Sequence, residues 1–197
     1  MEIKDLISKY QEDILLFNKI VSNGKSPEDL CVDELIARTK LQIAITKEEV
    51  EETIKARQEN DLVEYYDGLA DTIFTAVFLL ALDSVLVEKW NIGEGDLSFS
   101  EEGEELGNSV SEELFSKNIN VGLLDKCVEL VVENNKQKFT TSKEEFDTWE
   151  SEFTRKELIV DGVTYYTLID ENGKIRKRDN FPKVDLSFVL DEVWHEL

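Results

Sequence analysis

One histidine, two cysteines, one methionine and two prolines are spread over 197 residues. Each scarcity removes a class of chemistry or architecture. His195 sits near the C-terminus, and a lone imidazole argues against histidine general-base chemistry and multi-histidine zinc sites. Cys31 and Cys127 lie far apart and fit neither a disulfide framework nor a metal-finger spacing, so they read as reduced thiols. Low Pro and Gly, with abundant Glu, Asp, Lys, Leu and Val, favours helices over a sandwich or barrel. No Gly-rich phosphate loop and no Ser or Cys nucleophile signature is present. Basic residues are also few: 22 Lys and Arg face 44 Asp and Glu, a net charge of −22. That balance argues against a general nucleic-acid surface, which needs cations to neutralise phosphates, and against membranes. Any anionic substrate then needs a local cation, either a metal ion or a few placed Lys and Arg. The longest apolar run, Ile73 to Leu82, is about 10 residues. It is too short to span a bilayer and suits a core helix. Met1 to Asp5 is charged and amphipathic with no secretory h-region, which predicts a soluble cytoplasmic protein.

What is present is helical periodicity. Ile3, Leu6, Ile7, Tyr10, Ile14, Phe17 and Val21 predict a helix over 3–21, stopped by Asn23-Gly24. Ser26-Pro27 predicts a second helix start, running over about 28–59 with a break near Thr46. A third helix is expected over 61–89. Residues 94–118 are acidic, with Gly and Ser, and read as an exposed insertion with a short helix at most. Val121, Leu124, Cys127, Val128, Val131 and Val132 predict a helix over 120–138. Leu158 to Val160, the Asp161-Gly162 turn and Val163 to Ile169 read as a hairpin. A second turn at 170–173 and Lys174 to Arg176 add a third strand, and a short helix is expected over 185–195. The expectation is a mainly α antiparallel bundle with a small C-terminal β-meander. The division is a helical domain over 1–138 and an α+β appendage over 139–197.

Carboxylates carry the chemistry. On a helix Glu48 and Glu52 are one turn apart, Glu49 and Glu52 likewise, and so are Asp67 and Asp71. Fourteen residues separate Glu52 from Asp67, enough for a turn and an antiparallel return. The two sets then face each other as an oxygen-only cluster, which suits Mg²⁺ or Mn²⁺. Glu48 to Glu52 alone reads as a solvated face, and Thr46 with Glu49 as a capping box. Asp71 opposes that simpler account, because it opens an apolar run where an unpaired charge is costly.

The Glu-Glu-x-x-Glu of Glu48, Glu49 and Glu52, followed by Asp71, resembles the MazG-like all-α nucleoside triphosphate pyrophosphohydrolases. That superfamily also holds phosphoribosyl-ATP pyrophosphohydrolases and dimeric dUTPases. Its pattern is Glu-x-x-Glu, a gap, then Glu-x-x-Asp. Here Gly68 stands three residues before Asp71 in place of the Glu. Asp67, one residue earlier, or Glu64 is left to supply the fourth ligand. Asp67-Gly68-Leu69-Ala70-Asp71 resembles a phage and bacterial subgroup that is phosphoribosyl-ATP pyrophosphohydrolase-like. Asn134 to Lys138 resembles its Asn-x-x-Lys segment, which implies that Asn135 and Lys138 contact substrate phosphates. Asp170 to Lys177 resembles its β-turn appendage. For a phage-encoded chain the compartment is the host cytoplasm.

The resemblance implies Mg²⁺-dependent hydrolysis of a nucleoside triphosphate, deoxynucleotides included, to monophosphate and pyrophosphate, by a homodimer or homotetramer. Glu48, Glu49, Glu52, Asp67 and Asp71 would hold metal, with Glu48 or Glu49 activating water. Mn²⁺ would substitute. Asn18 is a candidate base contact and its neighbour Phe17 a core residue. Lys136, Lys138, Lys174, Arg176, Lys177 and Arg178 are the main basic concentration and could offset substrate phosphates; the run 174–178 reads more simply as solvated turn charges. The rival expectation is a non-enzymatic acidic decoy that mimics DNA phosphates and inhibits a nucleic-acid-binding protein.

Overall fold

The apolar stripe of the first segment folds as helix α1, Ile3–Val21, which buries Ile3, Leu6, Tyr10 and Ile14 along one side. A computed structural model describes residues 2–90, 100–115, 119–171 and 174–194. His195 and the loop expected over 91–96 lie outside the described residues, as does part of the turn at 170–173. After α1 the chain turns through Asn23 and Gly24, both at positive φ. Gly24 donates its N–H to the Lys19 carbonyl at 2.8 Å.

The helix start expected at Ser26-Pro27 yields only one 3₁₀ turn, Pro27–Asp29. Asp29 accepts from the Ser26 hydroxyl at 2.7 Å and from its backbone N–H at 2.9 Å, which closes the turn on itself. Leu30 is extended, and helix α2 begins afresh at Val32 and runs to Glu59. Glu34 caps that start by accepting from the Cys31 N–H at 3.1 Å. The break expected near Thr46 does not occur: α2 passes through it, with Thr46 fully buried.

Asn60 at φ 57° ends α2 in the left-handed cap conformation that asparagine tolerates. Asp61 then caps helix α3, Leu62–Trp90, by accepting from the Glu64 N–H at 3.2 Å. A reversal this tight makes α2 and α3 an antiparallel hairpin, and it is the most extensive helix pair of the fold. By length and composition α3 is apolar enough to cross a membrane. Here it is the core helix: Leu69, Ala70, Ile73, Phe74, Val77, Phe78, Leu82 and Leu86 are all buried within the bundle.

Residues 100–114 correct the expectation of an exposed insertion. They form a 15-residue helix, α4, Ser100–Leu114. It packs on α2 and α3 with Leu106 and Leu114 buried. Its Glu113 is also buried and pairs with Arg57 of α2 at 3.0 Å. Burial holds the Glu113 carboxyl above its usual range, and the Arg57 charge partly offsets this. Leu114→Ala should lower stability by about 2 kcal/mol in a urea titration, as expected for truncating a buried leucine. An unchanged midpoint would return this helix to a mere surface insertion.

Helix α5, Val121–Lys136, buries Leu123, Leu124, Cys127, Val128, Val131 and Val132 against α1 and α3, as its periodicity predicts. The chain then enters strand β1, Phe139–Thr140, a short helix α6, Lys143–Asp147, and strands β2, Thr154–Val160, and β3, Val163–Ile169. Strand β4, Ile175–Arg176, and helix α7, Phe188–Trp194, complete the described chain. The hairpin turn is Asp161-Gly162, both at positive φ. Strand β3 is central and antiparallel to its three partners. Strand β2 covers one edge over its whole length, from Thr154↔Ile169 to Val160↔Val163. On the other edge β1 pairs at Phe139↔Thr167 and β4 at Leu168↔Arg176. The fold is therefore mainly helical with a small antiparallel C-terminal sheet, as expected.

Candidate active site

Glu48, Glu49 and Glu52 lie mid-way along α2, and Asp67 and Asp71 lie in the first turns of α3. Glu48 and Glu52 are exposed, whereas Glu49, Asp67 and Asp71 are partly buried. Burial pushes the Glu49 carboxyl up to about 7, and the neighbouring charges of Glu52, Glu48 and Asp67 push the same way. Burial likewise raises Asp71 to about 7, reinforced by Glu49 of the facing helix and by Asp67 of its own. Asp67 is raised by burial and by Glu64 and Glu52. The hairpin thus brings carboxylates from both helices into one mutually repelling group. Glu64 is an exposed neighbour of that group.

These acids do not form a finished cation cage: among the described residues no three His, Cys, Asp or Glu side chains are arranged to hold a metal ion. The donor set still fits a hard divalent ion. It is all oxygen, and its raised carboxyl pKa values mark negative charge that lacks a counter-charge.

Gly68 has a steric reason. A Cβ there would stand 2.5 Å from Thr53 Oγ1 and 3.1 Å from the Thr53 Cα of α2. Thr53 Oγ1 donates to the Glu49 carbonyl at 2.7 Å and lies 3.3 Å from Thr72 Oγ1. The helices touch backbone to backbone at this level, so no side chain fits at 68. Asp67, one residue earlier, is a partly buried neighbour of Glu49 and Asp71. The capping-box account of Thr46 and Glu49 is discarded because α2 is continuous through both.

Asn135 and Lys138 are brought together at the end of α5. Lys138 Nζ donates to Asn135 Oδ1 at 2.6 Å and lies 5.5 Å from the Phe17 ring centre. Asn135 Nδ2 donates to its own helix, to the Val131 carbonyl at 3.0 Å. Burial lowers the Lys138 ammonium to about 8, helped by the positive charges of Lys177 and Lys174 and opposed by Asp71. Lys138 therefore borders the acidic group. Phe17 packs edge-on against Phe74 and Phe139, at 5.1 and 5.3 Å between ring centres, as expected of a core residue. Asn18 is buried beside it, and its amide donates to the Ile14 carbonyl at 2.9 Å.

The run 174–178 divides in two. Arg176 pairs with Asp170 at 2.6 Å, and Arg178 donates to the Gln137 carbonyl at 2.9 Å while lying 4.7 Å over the Trp149 ring. Lys177 instead acts on Asp67, Asp71 and Lys138. It is exposed, as a solvated turn charge is expected to be.

Residues 20–90 match the family model of phosphoribosyl-ATP pyrophosphohydrolase, from the MazG-like all-α superfamily. This segment is similar to the MazG-like pyrophosphohydrolases. All five candidate metal ligands fall inside the match, whereas Asn18, Asn135, Lys138 and Lys177 fall outside it. The family supports nucleotide pyrophosphohydrolase activity in general, and its members typically use divalent metal ions. No curated protein and no solved structure matches the chain.

Proposed function

We propose that this chain hydrolyses a nucleoside triphosphate, with deoxynucleotides as the favoured class, to monophosphate and pyrophosphate in the presence of Mg²⁺. One observation carries the reading most: Glu49 on α2 and Asp71 on α3 are each pushed up to about 7, by burial and by the other acids of the same group. A group so placed needs a cation or a proton. Glu48, Glu49, Glu52, Asp67 and Asp71 would hold Mg²⁺ or Mn²⁺, with Glu64 the alternative to Asp67. Bound there, the ion would neutralise phosphate charge and acidify a water.

The chain's own residues do the rest. Glu49, or Glu48 beside it, takes the proton of the attacking water; a base titrating near 7 suits that task. The water oxygen bonds to the α-phosphorus, the bond from that phosphorus to the bridging oxygen breaks, and pyrophosphate leaves with the electron pair. Lys138 and Asn135 hold phosphate oxygens, and Asn18, at the end of α1, borders the base. The protein acts in the cytoplasm as a homodimer or homotetramer, without nucleic acid or membrane.

The test is a panel of ribo- and deoxynucleoside triphosphates with Mg²⁺ and with Mn²⁺, reading monophosphate and pyrophosphate separately from orthophosphate. Equimolar monophosphate and pyrophosphate, abolished by EDTA, is the expected result. Silence across the panel, with salt-sensitive binding to a DNA-binding protein, would favour the acidic decoy instead.

A further inference from the structure

A triphosphate brings more negative charge than Lys138 alone offsets. We propose that Lys177 is a second phosphate-binding residue of this site, holding the pyrophosphate half of the substrate beside Lys138. The inference rests on the pyrophosphohydrolase reading above and assigns the C-terminal sheet a part in it.

The argument is one of strand register. Strands β1 and β4 share one edge of β3, and both run antiparallel to it. They therefore run in the same direction, end to end. Strand β4 pairs Ile175 with Ile169 and Arg176 with Leu168, and β1 takes over at Thr167 with Phe139. The chain leaving β4 after Arg176 must depart where the other segment enters at Phe139. The residues at that junction are Lys177 and Lys138.

Three hydrogen bonds fix the junction. Thr167 Oγ1 donates to the Lys138 carbonyl at 2.8 Å, Arg178 Nη1 to the Gln137 carbonyl at 2.9 Å, and Asn134 Nδ2 to the Pro182 carbonyl at 2.8 Å. Thr167 is fully buried, so its hydroxyl is a positioning group for the Lys138 backbone. Both flanking arginines are committed, Arg176 to Asp170 and Arg178 to backbone and Trp149. Lys177 is exposed, makes no ion pair among the described residues, and lies 5.1 Å from the Phe181 ring centre.

Charge points the same way. Lys177 opposes the charge on Lys138, as expected of two cations at one strand junction. A cation on the acids and a polyphosphate on the lysines would relieve the repulsion in both groups together.

The probe is inorganic pyrophosphate with Mg²⁺, titrated calorimetrically into the full-length protein. Lys177→Met should weaken binding about tenfold, the scale of one lost charged hydrogen bond. Lys177→Arg should restore most of it. Lys4→Met, which removes the same charge far from the sheet, should leave it unchanged, and circular dichroism should be identical for all. Lys177→Met binding within twofold of wild type overturns the inference, as does an equal loss in Lys4→Met. The nucleotide panel decides the activity separately. A wild type that binds pyrophosphate yet makes no monophosphate sinks the activity, and Lys177 then stands or falls on its own titration. A wild type that makes monophosphate yet binds no pyrophosphate overturns the Lys177 inference and leaves the activity standing.

Discussion

Asp71→Asn is expected to abolish nucleotide turnover and, without metal, to make the protein more stable. The two effects share a cause. Asp71 lies where burial and the charges of Glu49 and Asp67 hold its carboxyl up at about 7. Asparagine keeps the shape and replaces a charged ligand oxygen with a neutral, weaker one, and activity should fall about 1,000-fold, the scale of losing a key charge-stabilising group. The sign of the stability effect follows from linkage. A carboxyl whose folded pKa exceeds its unfolded value binds its proton more tightly when folded. Its stabilising contribution is intact below the unfolded pKa, near 3.8, and is lost as pH rises through about 7. At pH 8, without metal, the ionised Asp71 then costs the fold on the order of 2 kcal/mol, part of the limit set by a three-unit shift. The variant should therefore melt about 5 °C higher than wild type at pH 8 and equally at pH 4. Added Mg²⁺ should raise the melting temperature of the wild type and not that of the variant. A variant that retains turnover would remove Asp71 from the site. A variant destabilised at pH 8 would show that its charge is already compensated.

Gly68→Glu is expected to destabilise the protein by about 3–4 kcal/mol, the upper range for overpacking a tight helix contact. The change would write the superfamily's Glu-x-x-Asp into α3, so on the motif alone it should improve the site. Geometry predicts the reverse. A Cβ at this position would sit 2.5 Å from Thr53 Oγ1, and removing that hydroxyl would still leave the Thr53 Cα at 3.1 Å. The helices must separate, and Asp67 and Asp71 would move away from Glu49. Gly68→Ala should lose most of the same stability, because the clash begins at the Cβ. Chemical denaturation of Gly68→Ala, alone and with Thr53→Ala, measures this. The pair should be non-additive, with Thr53→Ala recovering only part of the loss. A Gly68→Ala protein as stable as wild type would mean that the hairpin does not need this approach.

The helices that carry wide apolar stripes were legible in the sequence. Ile3 to Val21 and Val121 to Val132 repeat at helical spacing and fold as that spacing predicts. Helix α4 was not, because Leu106, Val110 and Leu114 are its only sizeable apolar residues among Glu, Ser and Gly. That sparse composition resembles a solvated segment until α2 and α3 supply the surface it covers. The break at Thr46 was misread for a related reason: a hydroxyl in a long helix suggests a stop, yet here it is buried in an unbroken turn. The five candidate acids stand out by i, i+3 and i, i+4 spacing, and the short turn at Asn60-Asp61 sets their two helices antiparallel. The reason for Gly68 was not legible, because it depends on how closely Thr53 approaches from another helix. Lys177 was legible only as one of several basic residues that could offset phosphate, for the same kind of reason. Its place depends on two strand registers separated by more than 35 residues of chain.

The sheet has an edge at β2, part of which the Asn23-Gly24 turn covers beside the Ile159 carbonyl. A terminal strand leaves backbone donors and acceptors that an extended peptide can pair with. Arg155, Lys156 and Glu157 occupy the middle of that border, and only Ile159, beside the hairpin tip, is a bulky apolar residue left exposed on it. Added strands would have to bury those charges. The border is thus guarded against fibrous association, and an exchange of Lys156 and Glu157 for valine would turn it into a sticky seam.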